Sequence, residues 1–244
     1  MQPGRMRVNV EIPLQGGSES MTWEGREIDG GETQAQLAYR LIEEMIITLQ
    51  LPPGKKISET SLSKKLGLGR TPIREALQRL SFEGTVHIVP RSGAFVSELD
   101  LVDQLGMIEV RRGIENVMAG RAARFATNDV RGLFDKLAEE FDAAAAADDG
   151  TAFMKTDMEF NSLVARTSNC KYATHAIGPI EAQTRRFWYL HFQKFGDLKR
   201  VCQLHAAVAR CIAKNDESGA RAASDRLMDY VEEYTRRTLL VLGV

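Results

Sequence analysis

The sequence is poor in cysteine, and the few that it has form no known motif. It contains three cysteines, an odd number without any Cys-x-x-Cys pair: Cys170, Cys202 and Cys211. This pattern argues against both a disulfide framework and a zinc knuckle. The sequence therefore predicts free thiols, which are the usual state of cysteine in a reducing cytoplasm.

Long apolar runs and a strong excess of one charge are also absent. No segment approaches the ~20 apolar residues that span a bilayer, and the N-terminus lacks the apolar stretch of a signal peptide. Lys and Arg number 32 against 33 Asp and Glu, for a formal net charge of −1. This balance disfavours a protein that coats nucleic acid indiscriminately. We expect a cytoplasmic protein.

The basic residues are concentrated in one part of the chain. Residues 55–91 carry eight bases and three acids, a net charge of +5, which leaves −6 for the rest. The eight bases are Lys55, Lys56, Lys64, Lys65, Arg70, Arg74, Arg79 and Arg91. A basic module joined to an acidic one fits DNA binding that is confined to one domain.

The centre of this basic segment, residues 67–77, has the pattern of a DNA-recognition helix. Thr71 is predicted to cap the helix, and Pro72 to occupy its first position. Helical spacing places three apolar residues on the inner face: Ile73, Leu77 and Leu80. It leaves three polar residues outside: Arg70, Arg74 and Gln78. An outward Arg can donate two hydrogen bonds to a guanine edge or bind a phosphate.

The flanking segments complete a winged helix-turn-helix. An amphipathic pattern over residues 37–49 ends at the Leu-Pro-Pro-Gly of residues 51–54, and a second short helix is predicted from about Ser58 to the break at Gly67. After the recognition helix, two β-prone runs surround a Pro/Gly turn that has Arg91 near its tip. A hairpin in this place predicts a wing whose basic tip suits a neighbouring minor groove.

Residues 35–97 resemble the winged helix of the GntR family of bacterial transcription regulators. The resemblance lies in residues 51–54, 62–66, 70–77, 80 with 83–84, and 91–96. It implies that Arg70, Thr71 and Arg74 contact bases and phosphates and that Arg91 and Gly93 serve the wing. We add Gln78 on the outer face of the helix and Lys64 as a phosphate contact. Gly69 departs from the family pattern, which usually has Ser or Thr there.

The second half of the chain predicts helices alone. Helical patterns run over residues 101–126, 130–148, 151–167, 173–195, 197–215 and 217–241. Short connections predict antiparallel neighbours and so an all-helical bundle. We expect a mainly α protein with a flexible arm over residues 1–32, a winged helix-turn-helix with a small hairpin wing over 33–98, and an all-helical domain over 99–244.

Several helices of the second half place a polar residue on or beside an apolar stripe. These residues are Arg111, Asp157, Asn161 and His205. A buried polar group is costly unless it finds a partner, so they are candidates for one internal binding pocket. Simpler explanations remain: Arg111 could pair with Glu115 on its own helix, and an inward His is often a satisfied core residue.

Residues 101–240 resemble the helical domain of the FadR-like, or FCD, branch of the same family. Many members bind a divalent metal through one Asp and three His and sense a small carboxylate beside it. This chain has Asn161 and Leu227 at two of the His positions. Two alternatives follow. Either Asp157, Asn161 and His205 bind an ion such as Zn or Ni, or the pocket is metal-free, with Arg111 taking the carboxylate while Asn161 and His205 donate hydrogen bonds.

The function predicted by these features is that of a ligand-responsive transcription regulator. It would bind a double-stranded DNA operator as a homodimer, and a small organic acid in the helical domain would modulate the binding. A metal-dependent enzyme with an accessory DNA-binding domain is the alternative, with Asp157 and His205 as its metal ligands. No activated nucleophile, phosphate-binding loop or carboxylate pair supports it, so we predict no catalytic residue. A nucleoid-type structural protein fits the acidic second half poorly.

Overall fold

The structure, a computed structural model, describes residues 10–13, 20–23, 33–99 and 103–243, without the side chains of residues 10–13, 20–23 and 192–195. The chain divides into two compact units: Met1–Leu99 with Arg185–Tyr189, and Asp100–Thr184 with Leu190–Val244. The arm predicted over residues 1–32 lies outside the described residues, except for two short strands. These strands, β1 (Val10–Pro13) and β2 (Ser20–Trp23), pair antiparallel with Val10 opposite Trp23.

The first unit contains the predicted winged helix-turn-helix. Its described elements are α1 (Gln34–Ile47), β3 (Lys56–Ile57), α2 (Glu59–Leu66), α3 (Arg70–Phe82), β4 (Val86–Val89) and β5 (Gly93–Val96). The hairpin β4–β5 is antiparallel, with Val86 opposite Val96. Strand β3, which the sequence did not predict, pairs with the other side of β5, so the sheet order is β3-β5-β4.

One apolar core holds this unit together. The inner face of α3 is buried as its spacing predicted, with Ile73, Leu77 and Leu80 no more than 2% exposed. Residues of α1 pack against this face, and two of them, Ile42 and Ile46, are fully buried. Burial of side chains of this size stabilises a fold by about 1.5–3 kcal/mol each. The apolar face of α3 is therefore fixed inward, and its polar face stays outside.

The start of α3 differs from the prediction. Thr71 was expected to cap the helix, but α3 begins at Arg70 and its N-cap is Gly69, which has no side-chain acceptor. Pro72 consequently occupies the third helical position and not the first. The prediction failed because an extended Gly69, with φ −61° and ψ 161°, starts the helix without a side-chain cap. The hydroxyl of Thr71, an exposed residue, is left for other partners.

The second unit is all-helical in the described residues, as predicted. Its helices are α4 (Gln104–Phe125), α5 (Asn128–Ala147), α6 (Gly150–Ser168), α8 (Leu198–Ala213), α9 (Glu217–Leu242) and, apart from Arg185–Tyr189, α7 (Lys171–Phe195). Helix α5 packs on α6 and α8, and α4 packs on α6, α8 and α9. The buried face of α4 contains Ile108, Met118 and Ala122, whereas Phe125 at its C-terminal end is 46% exposed.

Aromatic rings form the centre of the helical unit. Phe141 of α5 lies against Phe153 and Phe160 of α6, with ring centroids 6.0 and 5.8 Å apart. The imidazole of His205 on α8 is 5.0 Å from the Phe141 ring and 5.4 Å from the Phe153 ring. Edge-to-face and tilted rings at such distances add about 0.5–1.5 kcal/mol per pair to the burial of their area. The same cluster therefore stabilises the bundle and holds His205 in place.

We predict that Phe141→Ala destabilises the helical unit by about 3–5 kcal/mol, because it leaves a cavity where a fully buried ring touches three others. Leu133→Ala, at a half-exposed position on the same helix, is the control and should cost less than about 1 kcal/mol. Urea unfolding followed by circular dichroism measures both. A loss at Phe141 no larger than at Leu133 would contradict the assignment of this core.

Candidate nucleic-acid interface and effector cavity

A tight turn sets the angle between α2 and α3. Gly67 ends α2 in the left-handed region, with φ 66°, where glycine has no steric cost. The hydroxyl of Ser63 donates a hydrogen bond to the carbonyl of Leu68 at 2.6 Å, and the Leu68 side chain is only 4% exposed. The turn is thus bonded and buried, so α3 has one defined direction relative to α2.

The structure places the predicted DNA-contacting residues of α2 and α3 on exposed surface. Four of them lie on α3 and one in the last turn of α2: Arg70, Thr71, Arg74, Gln78 and Lys64. The three long polar side chains of α3 are four residues apart, which places them in one row along the helix. Apolar residues face inward and hydrogen-bonding residues face outward, as a helix that enters a DNA groove requires.

Arg74 has a partner that the sequence did not indicate. Its Nε donates to Oε1 of Glu59 at 3.2 Å and its Nη2 donates to Oε2 at 2.8 Å, so the contact is bidentate. This hydrogen bond raises the pKa of Arg74 and, with the guanidinium charge, lowers the pKa of Glu59. The two residues are 15 positions apart, on α3 and α2, so no pattern within one helix could have revealed the pair.

Arg79 contacts other residues of the winged helix, although its side chain is 55% exposed. Its guanidinium lies 3.9 Å from the centre of the Tyr39 ring, and its Nε donates to Glu83 at 3.0 Å. The Tyr39 hydroxyl oxygen lies 2.7 Å from a carboxylate oxygen of Glu83 and 2.9 Å from one of Glu43, so two carboxylates share its single hydrogen. Burial of Tyr39, followed by the charge of Glu43, raises its pKa. Arg79 therefore ties α3 to α1 and does not belong to the row of outward residues.

The wing presents Arg91 and Gly93 at its turn. Arg91 has φ 64° and Gly93 has φ 111°, both positive, and both residues are exposed. The backbone N–H of Ser92 donates to the carbonyl of Val89 at 3.0 Å, which closes the turn. At φ 111° any residue with a Cβ is strained, so the hairpin requires glycine at position 93. The turn consequently projects Arg91 from the end of the hairpin.

A small cavity of about 20 Å³ lies inside the helical unit. Its polar lining residues come from four helices: Glu115 on α4, Asn161 on α6, Glu181 on α7 and Ser224 on α9. Leu227 contributes to the wall at the position where the family resemblance expects His. The volume is enough for roughly one water molecule. Of the four predicted effector residues only Asn161 lines this cavity. No pattern in the sequence indicated Glu181 or Ser224.

Asp157, Asn161 and His205 form one hydrogen-bonded group beside the cavity. Oδ1 of Asp157 is 3.1 Å from Nε2 of His205 and accepts from Nδ2 of Asn161 at 3.1 Å. Nδ1 of His205 is 2.8 Å from the carbonyl of Val201, an acceptor only, so Nδ1 carries a hydrogen. The contact with Asp157 is then favourable when one further proton lies between Nε2 and Oδ1. With that proton the Asp157–His205 pair has no net charge.

Arg111 is buried and paired along its own helix. Its side chain is 10% exposed, and its Nε donates to Oε1 of Glu115 at 2.6 Å. Burial lowers the pKa of this guanidinium, but the nearby carboxylates of Glu115 and Glu181, with a smaller effect of Asp157, raise it above normal on balance. The pairing with Glu115, one of the two sequence-based interpretations of Arg111, is present. Arg111 is thus a charged group already surrounded by acids.

The donor set fits a transition metal poorly. Zinc and nickel bind nitrogen, sulfur and carboxylate ligands, usually three or four from the protein. Here the only strong ligands in the group are Asp157 and His205, while Asn161 turns its amide N–H toward Asp157. In the part of the chain that the structure describes, no three His, Cys, Asp or Glu side chains are grouped for a metal ion.

The two units together define a class of protein. One is a winged helix-turn-helix with an outward basic face, and the other is a helical bundle with a small cavity lined by both polar and apolar side chains. This combination is typical of a DNA-binding regulator that responds to a ligand. Among the residues that the structure describes, no helix is long and apolar enough to cross a membrane.

Comparison with known protein families assigns the chain to one of them. Residues 34–96 match the family of bacterial regulatory proteins called gntR, and residues 106–230 match the FCD domain. The second match spans more than half of the chain, so the protein belongs to the GntR family of transcription regulators with an FCD effector-binding domain. Its relatives are transcription regulators and not enzymes, so the enzyme alternative has no support.

Relatives of similar length are known in several bacteria. The HTH-type transcriptional repressor RspR of Escherichia coli (strain K12) is 23% identical over 202 residues, which are 83% of this chain and 89% of the relative. The HTH-type transcriptional regulator LutR of Bacillus subtilis (strain 168) is 26% identical over 221 residues, covering 78% and 99%.

Solved structures of related regulators share the fold. E. coli McbR/YncC superposes with a TM-score of 0.70 at 16% identity, over 87% of this chain and 98% of that one. A putative transcriptional regulator GntR from Rhodococcus sp. RHA1 gives a TM-score of 0.60 at 20% identity, over 85% and 98%. At these identities the likeness concerns the fold alone.

We predict that the protein, purified without chelator and without a metal-affinity step, contains far less than one Zn or Ni ion per chain, because the group offers two strong ligands. Elemental analysis by mass spectrometry measures the content. Near-stoichiometric metal that is lost in both Asp157→Ala and His205→Ala would contradict this and would make Asn161 a ligand or its neighbour.

Proposed function

We propose that the protein binds a DNA operator through residues 33–98 and that a small organic acid bound within residues 99–244 modulates this binding. The observation that carries the proposal is the outward row of Arg70, Arg74 and Gln78 on a helix whose opposite face is fully buried. Such a regulator must reach the chromosome, so its place of action would be the cytoplasm. Its relatives of known name are repressors and regulators of transcription.

The roles of the DNA contacts follow from their chemistry. Helix α3 enters the major groove, where Arg74 reads a base edge and Gln78 lies one turn further along. Arg70 and the free hydroxyl of Thr71 bind phosphate at the N-terminus of α3, which lacks a side-chain cap and so keeps backbone N–H groups available. Lys64 binds phosphate from α2. Arg91 at the wing, with Gly93 behind it, reaches the adjacent minor groove.

We predict different consequences for a base contact and a phosphate contact. Arg74→Ala should weaken binding to the specific operator by about 1–3 kcal/mol and relax discrimination at one base position. Lys64→Ala should weaken all sequences alike and lower the salt dependence of log K by about one phosphate contact. Fluorescence anisotropy on operator and scrambled DNA at several salt concentrations measures both. Operator affinity unchanged by Arg74→Ala, or sequence-dependent loss at Lys64, would contradict these roles.

A homodimer fits this mode of binding. Two winged helices that read half-sites of a near-palindrome gain affinity together, and a twofold-symmetric protein matches that symmetry. Helix α4 offers a surface for the contact, because Val110 and Val117 are 55% and 40% exposed and lie seven residues apart on one face. Burial of such valines in a second copy would remove apolar surface from water.

The effector site is proposed around Arg111, without a metal ion. The guanidinium of Arg111 would take the carboxylate of the acid. Asn161 and His205 would complete its hydrogen bonds after exchanging their present contacts with Asp157 for contacts with the acid. Two features of the free protein oppose immediate binding: Glu115 already occupies Arg111, and the cavity has room for about one water. The acid must therefore displace the Glu115 contact and widen the cavity, which moves α4 relative to its neighbours.

This displacement gives the effector a way to control DNA binding. A ligand shifts a conformational equilibrium only when it binds the two states with different affinity. An acid that fits only the widened cavity has that property, because it stabilises the rearranged α4 and not the closed arrangement. The widened state would then differ from the closed state in how well it holds the two winged helices on their half-sites.

We predict that Glu115→Gln binds small carboxylates several-fold more tightly than the natural protein, because the acid no longer competes with Glu115 for Arg111. Glu109→Gln, at an exposed position on the same helix, is the control that removes one charge without touching Arg111. Calorimetric titration with a panel of mono- and dicarboxylates measures the affinities. Equal carboxylate affinities in Glu115→Gln and Glu109→Gln would contradict the assignment of Arg111 to the acid-binding site.

A further inference from the structure

The contact between Glu59 and Arg74 occupies one specific edge of the guanidinium. An Arg side chain has five N–H donors: one on Nε and two on each Nη. Glu59 accepts from Nε and from one hydrogen of Nη2, at 3.2 and 2.8 Å. The remaining donors are both hydrogens of Nη1 and one of Nη2. The free edge therefore carries one outward N–H on each Nη atom, side by side.

This free edge has the geometry that guanine requires. In the major groove guanine presents two neighbouring acceptors, N7 and O6, and paired N–H groups of Arg bind both at once. Adenine offers only one acceptor beside a donor, so a held guanidinium discriminates against it. A phosphate contact needs no such orientation, because phosphate oxygens accept from many directions and carry no sequence information.

Glu59 is itself held in place. It is the first residue of α2, directly after the cap Ser58, whose Oγ accepts from the backbone N–H of Ser61 at 3.2 Å. A carboxylate in the first turn of a helix is favoured by the helix dipole. Glu59 is therefore anchored on α2 while Arg74 projects from α3, so the Arg74 side chain is held by a residue outside its own helix.

The contribution of the Glu59–Arg74 ion pair to folding stability is too small to explain its presence. The side chains of Arg74 and Glu59 are 62% and 36% exposed, and ion pairs at such exposure contribute little to folding. A carboxylate on the DNA-facing side also repels phosphate and so lowers non-specific affinity. Its benefit must lie elsewhere, in the orientation of Arg74.

We propose that Glu59 is a specificity-determining residue that holds Arg74 on its Nε edge and presents the Nη edge to a guanine of the operator. The proposal rests on the role of Arg74 in base recognition given above. Without Glu59 the flexible Arg74 side chain would also reach phosphates, so binding would persist while discrimination falls. Glu59 is thus a positioning residue that acts on the base through Arg74.

Glu59→Gln and Glu75→Gln form a matched pair for the test. Both remove one negative charge from the winged helix. Glu75, however, is an exposed residue of α3 without a contact to Arg74. The operator is selected from random-sequence DNA with the natural protein. Affinities of the full-length variants are then measured for the selected site, for its single-base substitutions and for scrambled DNA. Thermal denaturation shows that each variant is folded.

The expected result separates discrimination from affinity. Glu59→Gln should lose about tenfold in discrimination for guanine at one position, within the range of a bidentate contact, and keep or raise its affinity for scrambled DNA. Glu75→Gln should change specific and scrambled binding in parallel. In the Arg74→Ala background, Glu59→Gln should produce no further loss of discrimination, because the group that it orients is gone.

Three other outcomes overturn different statements. If Arg74→Ala relaxes discrimination at a guanine but Glu59→Gln behaves like Glu75→Gln, the positioning role of Glu59 is wrong while base recognition by Arg74 stands. If Arg74→Ala leaves discrimination unchanged, the proposed role of Arg74 fails and the inference about Glu59 fails with it. A loss in Glu59→Gln that persists in the Arg74→Ala background would assign the effect of Glu59 to the α2–α3 geometry and also overturn the inference.

Discussion

The packing of α3 on α1 decides how the DNA-binding unit presents its surface. Burial of Ile73, Leu77 and Leu80 removes rotation of α3 about its axis, because any turn of the helix would expose these side chains to water. The outward position of Arg74 is therefore a consequence of apolar burial on the opposite face. The bonded turn at Leu68 then fixes the direction of the helix.

Two arginines with proposed roles in recognition are each held by a glutamate through Nε, but in different surroundings. Arg74 is exposed, so its pairing with Glu59 leaves one edge available and costs little desolvation. Arg111 is buried, and its pairing with Glu115 compensates a charge that would otherwise be expensive inside the bundle. In the proposed mechanism the same kind of contact orients Arg74 toward DNA and keeps Arg111 from the effector until the site rearranges.

The sequence predicted the fold more completely than the candidate sites. Apolar periodicity gave each helix of the bundle to within about three residues, and the β-hairpin lies where the Pro/Gly turn indicated. The sequence-based prediction failed at two local features: Gly69 and not Thr71 is the N-cap of α3, and β3, with two residues, is too short to have a pattern. The group of Asp157, Asn161 and His205 was found from inward-facing polar residues, whereas Glu59, Glu181 and Ser224 had no local signal. Whether the predicted residues bind DNA or effector stays a prediction.

The sequence by itself determined which helices form and which of their faces are apolar, because these depend on spacing within short segments. Its motifs also carried the resemblance to the GntR family. Only the tertiary structure decided which polar groups meet. Glu59 contacts Arg74, which lies on another helix and 15 residues later in the chain. Four helices bring Glu115, Asn161, Glu181 and Ser224 to one cavity. Such encounters depend on how helices pack in three dimensions. The spacing of residues along one helix therefore cannot reveal them.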